Sequence, residues 1–146
     1  MTLSQRRPAI FCDLDGVLVD FIAGIQKLSG GKKPDEMSIG RIWATVAKKQ
    51  TFFESLDWTP DGKELWEAIR HLQPTILTGV PSNKPDVVGE QKASWCQREF
   101  QCLIQHVDKA ATKPQQHAVV STTGKKRKDA ITVVSCWSKF KHLECK

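Results

Sequence analysis

Residues 9–20 read Ala9-Ile10-Phe11-Cys12-Asp13-Leu14-Asp15-Gly16-Val17-Leu18-Val19-Asp20: an apolar run that ends in two carboxylates and a glycine, then resumes. A short apolar run closed by a turn residue predicts a buried strand over about 8–13. Side chains on a strand repeat every second residue, so Asp13 and Asp15 would project to the same side. At the C-terminal end of a strand in an α/β sheet they would stand where such folds place ligands. Neighbouring carboxylates repel unless a cation or a shared proton offsets them, which points to a metal site or to acid–base chemistry. Gly16 permits the sharp turn just past the acids. Solvated turn aspartates are the ordinary alternative. Hydrophobic runs on both sides argue instead for a turn held in the core, and so for a site.

The remaining pattern alternates helix with strand. Residues 17–28 carry Leu18, Phe21, Ile22, Ile25 and Leu28 at helical spacing, and Ser29-Gly30-Gly31-Lys32-Lys33-Pro34 breaks it. A second helical pattern runs through Ile39, Ile42, Trp43, Val46 and Ala47. A third, over 60–73, holds Leu65, Trp66, Ile69 and Leu72. Thr75-Ile76-Leu77-Thr78 reads as a short strand stopped by Gly79-Val80-Pro81. Residues 87–100 predict a helix whose inner face is Val88, Trp95, Cys96 and Phe100, while 102–107 fits either a strand or the tail of that helix. Residues 111–129 are polar and long for a connection inside a compact domain. Ile131-Thr132-Val133-Val134-Ser135-Cys136 is β-branched and bounded by a polar turn, as strands are. Such alternation predicts an α/β fold with a parallel sheet, and 146 residues predict a single domain over 1–146.

Charge and cysteine usage narrow the function classes. The net charge of +6 raises a nucleic-acid hypothesis. Much of the excess sits in Lys125-Lys126-Arg127-Lys128, where a solvated basic loop is the commoner explanation and no aromatic residues interleave to build a single-strand groove. Gly124-Lys125 lacks the other residues of a phosphate-binding P-loop. A nucleic-acid partner is therefore not expected. Five cysteines (Cys12, Cys96, Cys102, Cys136 and Cys145) without paired spacing argue against a disulfide framework or a zinc knuckle. Cys12 and Cys136 lie in apolar runs and read as small core residues. With no apolar stretch of membrane-spanning length and no signal-type segment at the N-terminus, a soluble cytoplasmic protein without a membrane partner is expected. Oligomeric state is not legible.

The run Phe11-Cys12-Asp13-Leu14-Asp15-Gly16-Val17-Leu18-Val19-Asp20-Phe21 resembles the first motif of the haloacid dehalogenase superfamily. More narrowly, the chain resembles the phosphatases of that superfamily related to the 5'(3')-deoxyribonucleotidases. Further matches fall at Phe52-Phe53-Glu54-Ser55-Leu56, Ile76-Leu77-Thr78-Gly79-Val80-Pro81 and Glu90-Gln91-Lys92-Ala93-Ser94-Trp95-Cys96. The resemblance implies a Rossmann-like three-layer α/β sandwich. Its core would span about 8–16 and 60–146, with a small helical cap over 17–59 in which Trp43, Phe52, Phe53 and Trp58 are candidate wall residues.

The chemistry so implied is magnesium-dependent hydrolysis of a small phosphate monoester, a nucleoside monophosphate being one candidate substrate. Asp13 would attack phosphorus and carry the aspartyl-phosphate. Asp15 would protonate the leaving oxygen and then activate water. Mg2+ would be held by Asp13 and Asp15, a backbone carbonyl at Asp15 serving as a further ligand. Thr78 would donate to a phosphoryl oxygen, and Gly79 would let backbone approach it closely. A lysine would neutralise the transferring group. Lys141, after the late strand, is the preferred candidate, with Lys139 beside it and Lys92 the choice if the compact family spacing applies. The family's fourth motif, an apolar strand ending in an acidic pair, has no counterpart after Lys141; Asp108 and Asp129 are poor substitutes. A C-terminally shortened domain is expected, and with it the alternative of a catalytically weak or inactive phosphate- or partner-binding scaffold.

Overall fold

The computed structural model describes residues 8–81, 83–109 and 130–137. Four strands, β1 (Phe11–Cys12), β2 (Thr75–Val80), β3 (Ile104–Asp108) and β4 (Ile131–Trp137), form one parallel sheet in the order β1-β2-β4-β3. Helices α1 (Phe21–Leu28), α2 (Ile39–Ala47) and α3 (Gly62–Ile69) lie between β1 and β2, and α4 (Pro85–Phe100) lies between β2 and β3. The expected α/β class and parallel sheet are both present, in an arrangement compatible with a Rossmann-like fold. Residues 104–108, open to two readings from pattern alone, are a strand. None of the described helices is long and apolar enough to cross a membrane.

The first strand departs from expectation. Instead of a buried strand over 8–13, β1 is two residues long and lies at the sheet's edge, with Phe11 36% exposed. Among the described residues β1 pairs with β2 alone (Phe11↔Thr75, Cys12↔Ile76), and of its two residues only Cys12 enters the core. Helix α1 likewise begins at Phe21 rather than 17. Asp20 accepts a hydrogen bond from the Ala23 amide at 2.9 Å and so caps it.

Strand alternation divides the sheet into two faces. Ile76 and Val80 on β2 and Ile131 and Val133 on β4 join the main core, together with Val88, Trp95, Cys96 and Phe100 of α4, the inner face expected from sequence. The other face gathers Leu77, Val134, Cys136 and Val107. Cys12 and Cys136 are buried, as their apolar surroundings suggested.

Helix α4 also binds the segment before α3. The Gln91 side chain accepts from the Phe53 and Glu54 amides at 3.1 and 3.4 Å and donates to the Gln50 carbonyl at 2.7 Å. Trp95 Nε1 donates to the Leu56 carbonyl, Arg98 donates to the Glu54 carbonyl, and Trp58 Nε1 donates to Glu99. Phe52 and Phe53 are thereby buried against Phe21, whereas Trp43 faces solvent at 41% exposure. Of the four aromatic wall candidates, Phe52 belongs to the core and Trp43 to the surface.

Candidate active site

Past β1 the chain closes a tight knot. The Leu14 carbonyl accepts from the amides of Val17, Leu18 and Val19 at 3.0, 2.9 and 3.0 Å, and the Gly16 amide donates to the Val19 carbonyl. Gly16 takes φ +79°, a left-handed conformation that glycine adopts without steric cost. Leu14, 1% exposed, anchors the loop in the core. The Thr59 hydroxyl donates to the Val17 carbonyl at 2.7 Å, and the Thr59 amide donates to the Leu18 carbonyl, tying the loop to the approach of α3. The turn is held by the core, as the flanking apolar runs required. Asp13 folds one oxygen back to accept from the Leu14 amide at 2.7 Å.

Asp15 meets a lysine far away in sequence. Lys92 Nζ donates to Asp15 Oδ2 at 2.6 Å, to Thr78 Oγ1 at 3.0 Å and to the Gly79 carbonyl at 2.7 Å. An ammonium has three N–H donors, so all three are engaged. The Phe53 ring lies 5.0 Å from the same nitrogen, within reach of a cation–π attraction. Lys92 is buried at 3% exposure and Thr78 fully, whereas the Asp15 side chain keeps 34% of its surface. The site therefore opens to solvent on the Asp15 side. Desolvating an ammonium costs several kcal/mol unless paired and hydrogen-bonded, and these partners meet that condition.

Four of the expected site residues, Asp15, Thr78, Gly79 and Lys92, are thus in direct contact, and Asp13 lies two positions from Asp15 on the same loop. Lys141 and Lys139, the preferred third-motif candidate and its neighbour, lie outside the described residues, as do the basic run at 125–128 and Asp129. The signal favouring Lys92 was present in the sequence. It falls four residues after Val88, and three and four before Trp95 and Cys96, on the stripe of α4 that must face inward. A lysine there needs a built partner. Asp108 ends β3, which β2 and β4 separate from β1, roughly 14 Å away at ordinary strand spacing.

Sequence reasoning missed a second polar pair beneath α4. Ser135, fully buried, lies in register with Thr78 on β2, and its hydroxyl is 2.8 Å from His106 Nε2. Burial holds the His106 pKa below its ordinary value, against the opposing charges of Asp108 and Glu90. Gly89 explains the fit: a Cβ there would meet Ser135 Oγ at 3.0 Å and the His106 ring at 3.4 Å. A lone serine in an apolar strand was the only cue.

Among the described residues, no group of three or more His, Cys, Asp or Glu side chains gathers to hold a metal. The candidate donors are the two aspartates of the loop. Magnesium is commonly held by one or two carboxylates with water and substrate phosphate completing its shell, so this pair of hard oxygen donors fits Mg2+ and does not fit a metal needing a protein cage. No family model matches this chain, and no curated protein matches it.

Proposed function

We propose that this chain is a magnesium-dependent phosphate monoester hydrolase of the haloacid dehalogenase type, with a Rossmann-like core and a helical cap over 17–59. The reading rests on one observation: Lys92 Nζ is held within hydrogen-bonding distance of Asp15, Thr78 and the Gly79 carbonyl at the C-terminal ends of β1 and β2. An ammonium, a hydroxyl and an acid from three separate elements converge there. Phosphoryl transfer needs this set to bind and neutralise the transferring group.

Asp13 is the nucleophile: a carboxylate oxygen attacks phosphorus, the ester P–O bond breaks, and an aspartyl-phosphate forms. Asp15, once released from Lys92 and protonated from solvent, gives that proton to the departing alkoxide oxygen. In the second step Asp15 takes a proton from the attacking water, phosphate leaves, and Asp13 is regenerated. Asp13 and Asp15 would hold Mg2+, with the Asp15 main-chain carbonyl a further ligand, and the ion when bound would supply charge neutralisation for the phosphoryl oxygens. Lys92 must exchange one of its three bonds to reach a phosphoryl oxygen. Asp15 is the partner that yields, because its side chain keeps 34% of its surface open to solvent, and yielding frees it for its proton-transfer role. Phe53 covers Lys92 from the cap side and keeps its field unscreened.

A second reading, a non-catalytic phosphate- or partner-binding scaffold, draws support from the full engagement of Lys92 and from the absence of a third carboxylate among the described residues. One experiment separates the two. The purified chain is assayed for phosphate release from a nucleoside monophosphate panel and a chromogenic monoester, with and without Mg2+. Magnesium-dependent release lost in Asp13→Asn supports the enzyme. Binding of phosphate without release, in wild type and variant alike, selects the scaffold.

A further inference from the structure

A second concentration of positive charge lies away from the acidic loop, between the end of α1 and one face of α2. It borders a surface pocket of about 260 Å³ that shares no residue with the Lys92 site. Three cations line it, Lys32, Arg41 and Lys48, and no acidic side chain does. None of the three forms an ion pair among the described residues, whereas Lys27, Arg70, Lys92 and Arg98 all do.

Local structure brings these charges together. Ser29 caps α1, its amide bonding to the Ile25 carbonyl. Gly30 and Gly31 then take φ +70° and +95° and reverse the chain, bringing Lys32 to the pocket's rim. Ser38 starts α2 by accepting from the Arg41 amide at 3.3 Å. Arg41, Ala44, Thr45 and Lys48 follow at spacings of three, four and seven, which place them on one helix face. Leu28, Met37 and Ala44 give the pocket an apolar wall. The Thr45 hydroxyl donates to the Arg41 carbonyl and the Ser29 hydroxyl to the Lys32 carbonyl, both at 2.8 Å. Their protons are committed, so anion recognition falls to the three cations.

Like charges gathered without acids repel until an anion arrives. Arg41 and Lys48 are two helical turns apart, about 10 Å along the axis, a span that favours an anion with more than one charged group. Arginine adds a planar fork matched to phosphate oxygens. We infer that this pocket is a second anion site, selective for an organic diphosphate whose apolar body rests on Leu28 and Met37. It stands independently of the hydrolase reading.

The test is calorimetric titration of ADP, AMP and inorganic pyrophosphate without metal, so that turnover plays no part. The proteins are wild type, Lys92→Met (which removes the buried cation of the first site), Arg41→Gln/Lys48→Gln, and control variants with Lys27 and Lys63 or residues 125–128 neutralised. The expected result is one saturable ADP site that survives in Lys92→Met, binds ADP at least ten-fold more tightly than AMP, and weakens at least ten-fold in Arg41→Gln/Lys48→Gln. Both substituted residues in that variant are exposed, so its circular dichroism should match wild type. A folding failure of Lys92→Met leaves the wild-type comparison intact. The inference is overturned by absence of saturable ADP binding, by AMP binding as tightly, or by equal weakening on neutralising Lys27 and Lys63 or residues 125–128. Displacement of ADP by a single-stranded oligonucleotide at lower concentration would reassign the charge to nucleic acid and overturn it as well.

Discussion

Two lysine–aspartate pairs in this molecule have nearly the same length and very different surroundings. Lys92–Asp15 spans 2.6 Å with the side chains 4% and 34% exposed, whereas Lys27–Asp57 spans 2.7 Å with both about two-thirds exposed, at 68% and 70%. The same two charges about 4 Å apart attract by about 1 kcal/mol in water and about 4 kcal/mol at an effective dielectric of about 20. In the exposed pair the hydrogen bond, and then the charge of each partner, raise the Lys27 pKa and lower that of Asp57. Solvent and salt screen that pair, and such surface bridges contribute little to stability. The buried lysine has nowhere else to place its charge. Distance alone does not distinguish a structural ornament from a site; burial and the number of committed partners do.

The sharpest way to break this contrast is Asp15→Ala. Removing the carboxylate leaves a buried ammonium short of its charge partner, and the expected loss is about 3–5 kcal/mol of unfolding free energy, read as a lower urea midpoint. A loss below ~1 kcal/mol would mean that Lys92 reaches water. Lys92→Met is expected to lower turnover by about 10²–10³-fold if the site is catalytic. It should cost less stability than Asp15→Ala, about 1–3 kcal/mol, because the stranded Asp15 can hydrate while Thr78 and the Gly79 carbonyl each lose a donor. The double variant Asp15→Ala/Lys92→Met should recover part of the combined loss, since the two groups are coupled.

Smaller effects test the neutral pair and the exposed one. The folded-state pKa of His106 lies below its ordinary value of 6.5, so the unfolded chain takes up the proton first as pH falls. Its contribution is complete above that ordinary value and is lost as pH drops from there toward the folded-state value. Urea unfolding at pH 7.5 and 5.5 should therefore show a fall in stability that is reduced in His106→Gln. An unchanged pH dependence in that variant would exclude the buried pair as its source. Lys27→Ala should leave the urea midpoint essentially unchanged, because solvent screens the exposed pair. A loss comparable to that of Asp15→Ala would show that exposure is not what separates the two lysine–aspartate pairs.

Much of the fold was legible before any coordinate. Apolar, β-branched runs marked β2 and β4, and the spacing of Val88, Trp95, Cys96 and Phe100 gave the inner face of α4, because both signals come from local periodicity. Residues 104–108 were ambiguous, since a short apolar run suits a strand or a helix tail until pairing decides. The position of β1 was misjudged for a related reason. Hydrophobicity showed that Ile10, Phe11 and Cys12 avoid water without showing which of them the core takes in. In the site, Asp13, Asp15 and Thr78 stood out as acids and a hydroxyl at strand ends. Ser135 and His106 carried too little pattern to be found.

Residue order by itself determined the alternation of strand and helix, the glycine turn behind the acids and the choice of chemical groups available to a site, because these depend on neighbours a few positions apart. Only the tertiary structure decided that Lys92 serves Asp15, across a separation of 77 residues. A buried ammonium is tolerated only where other elements supply acceptors for its three protons, and which elements those are depends on strand order and helix packing that no local pattern contains.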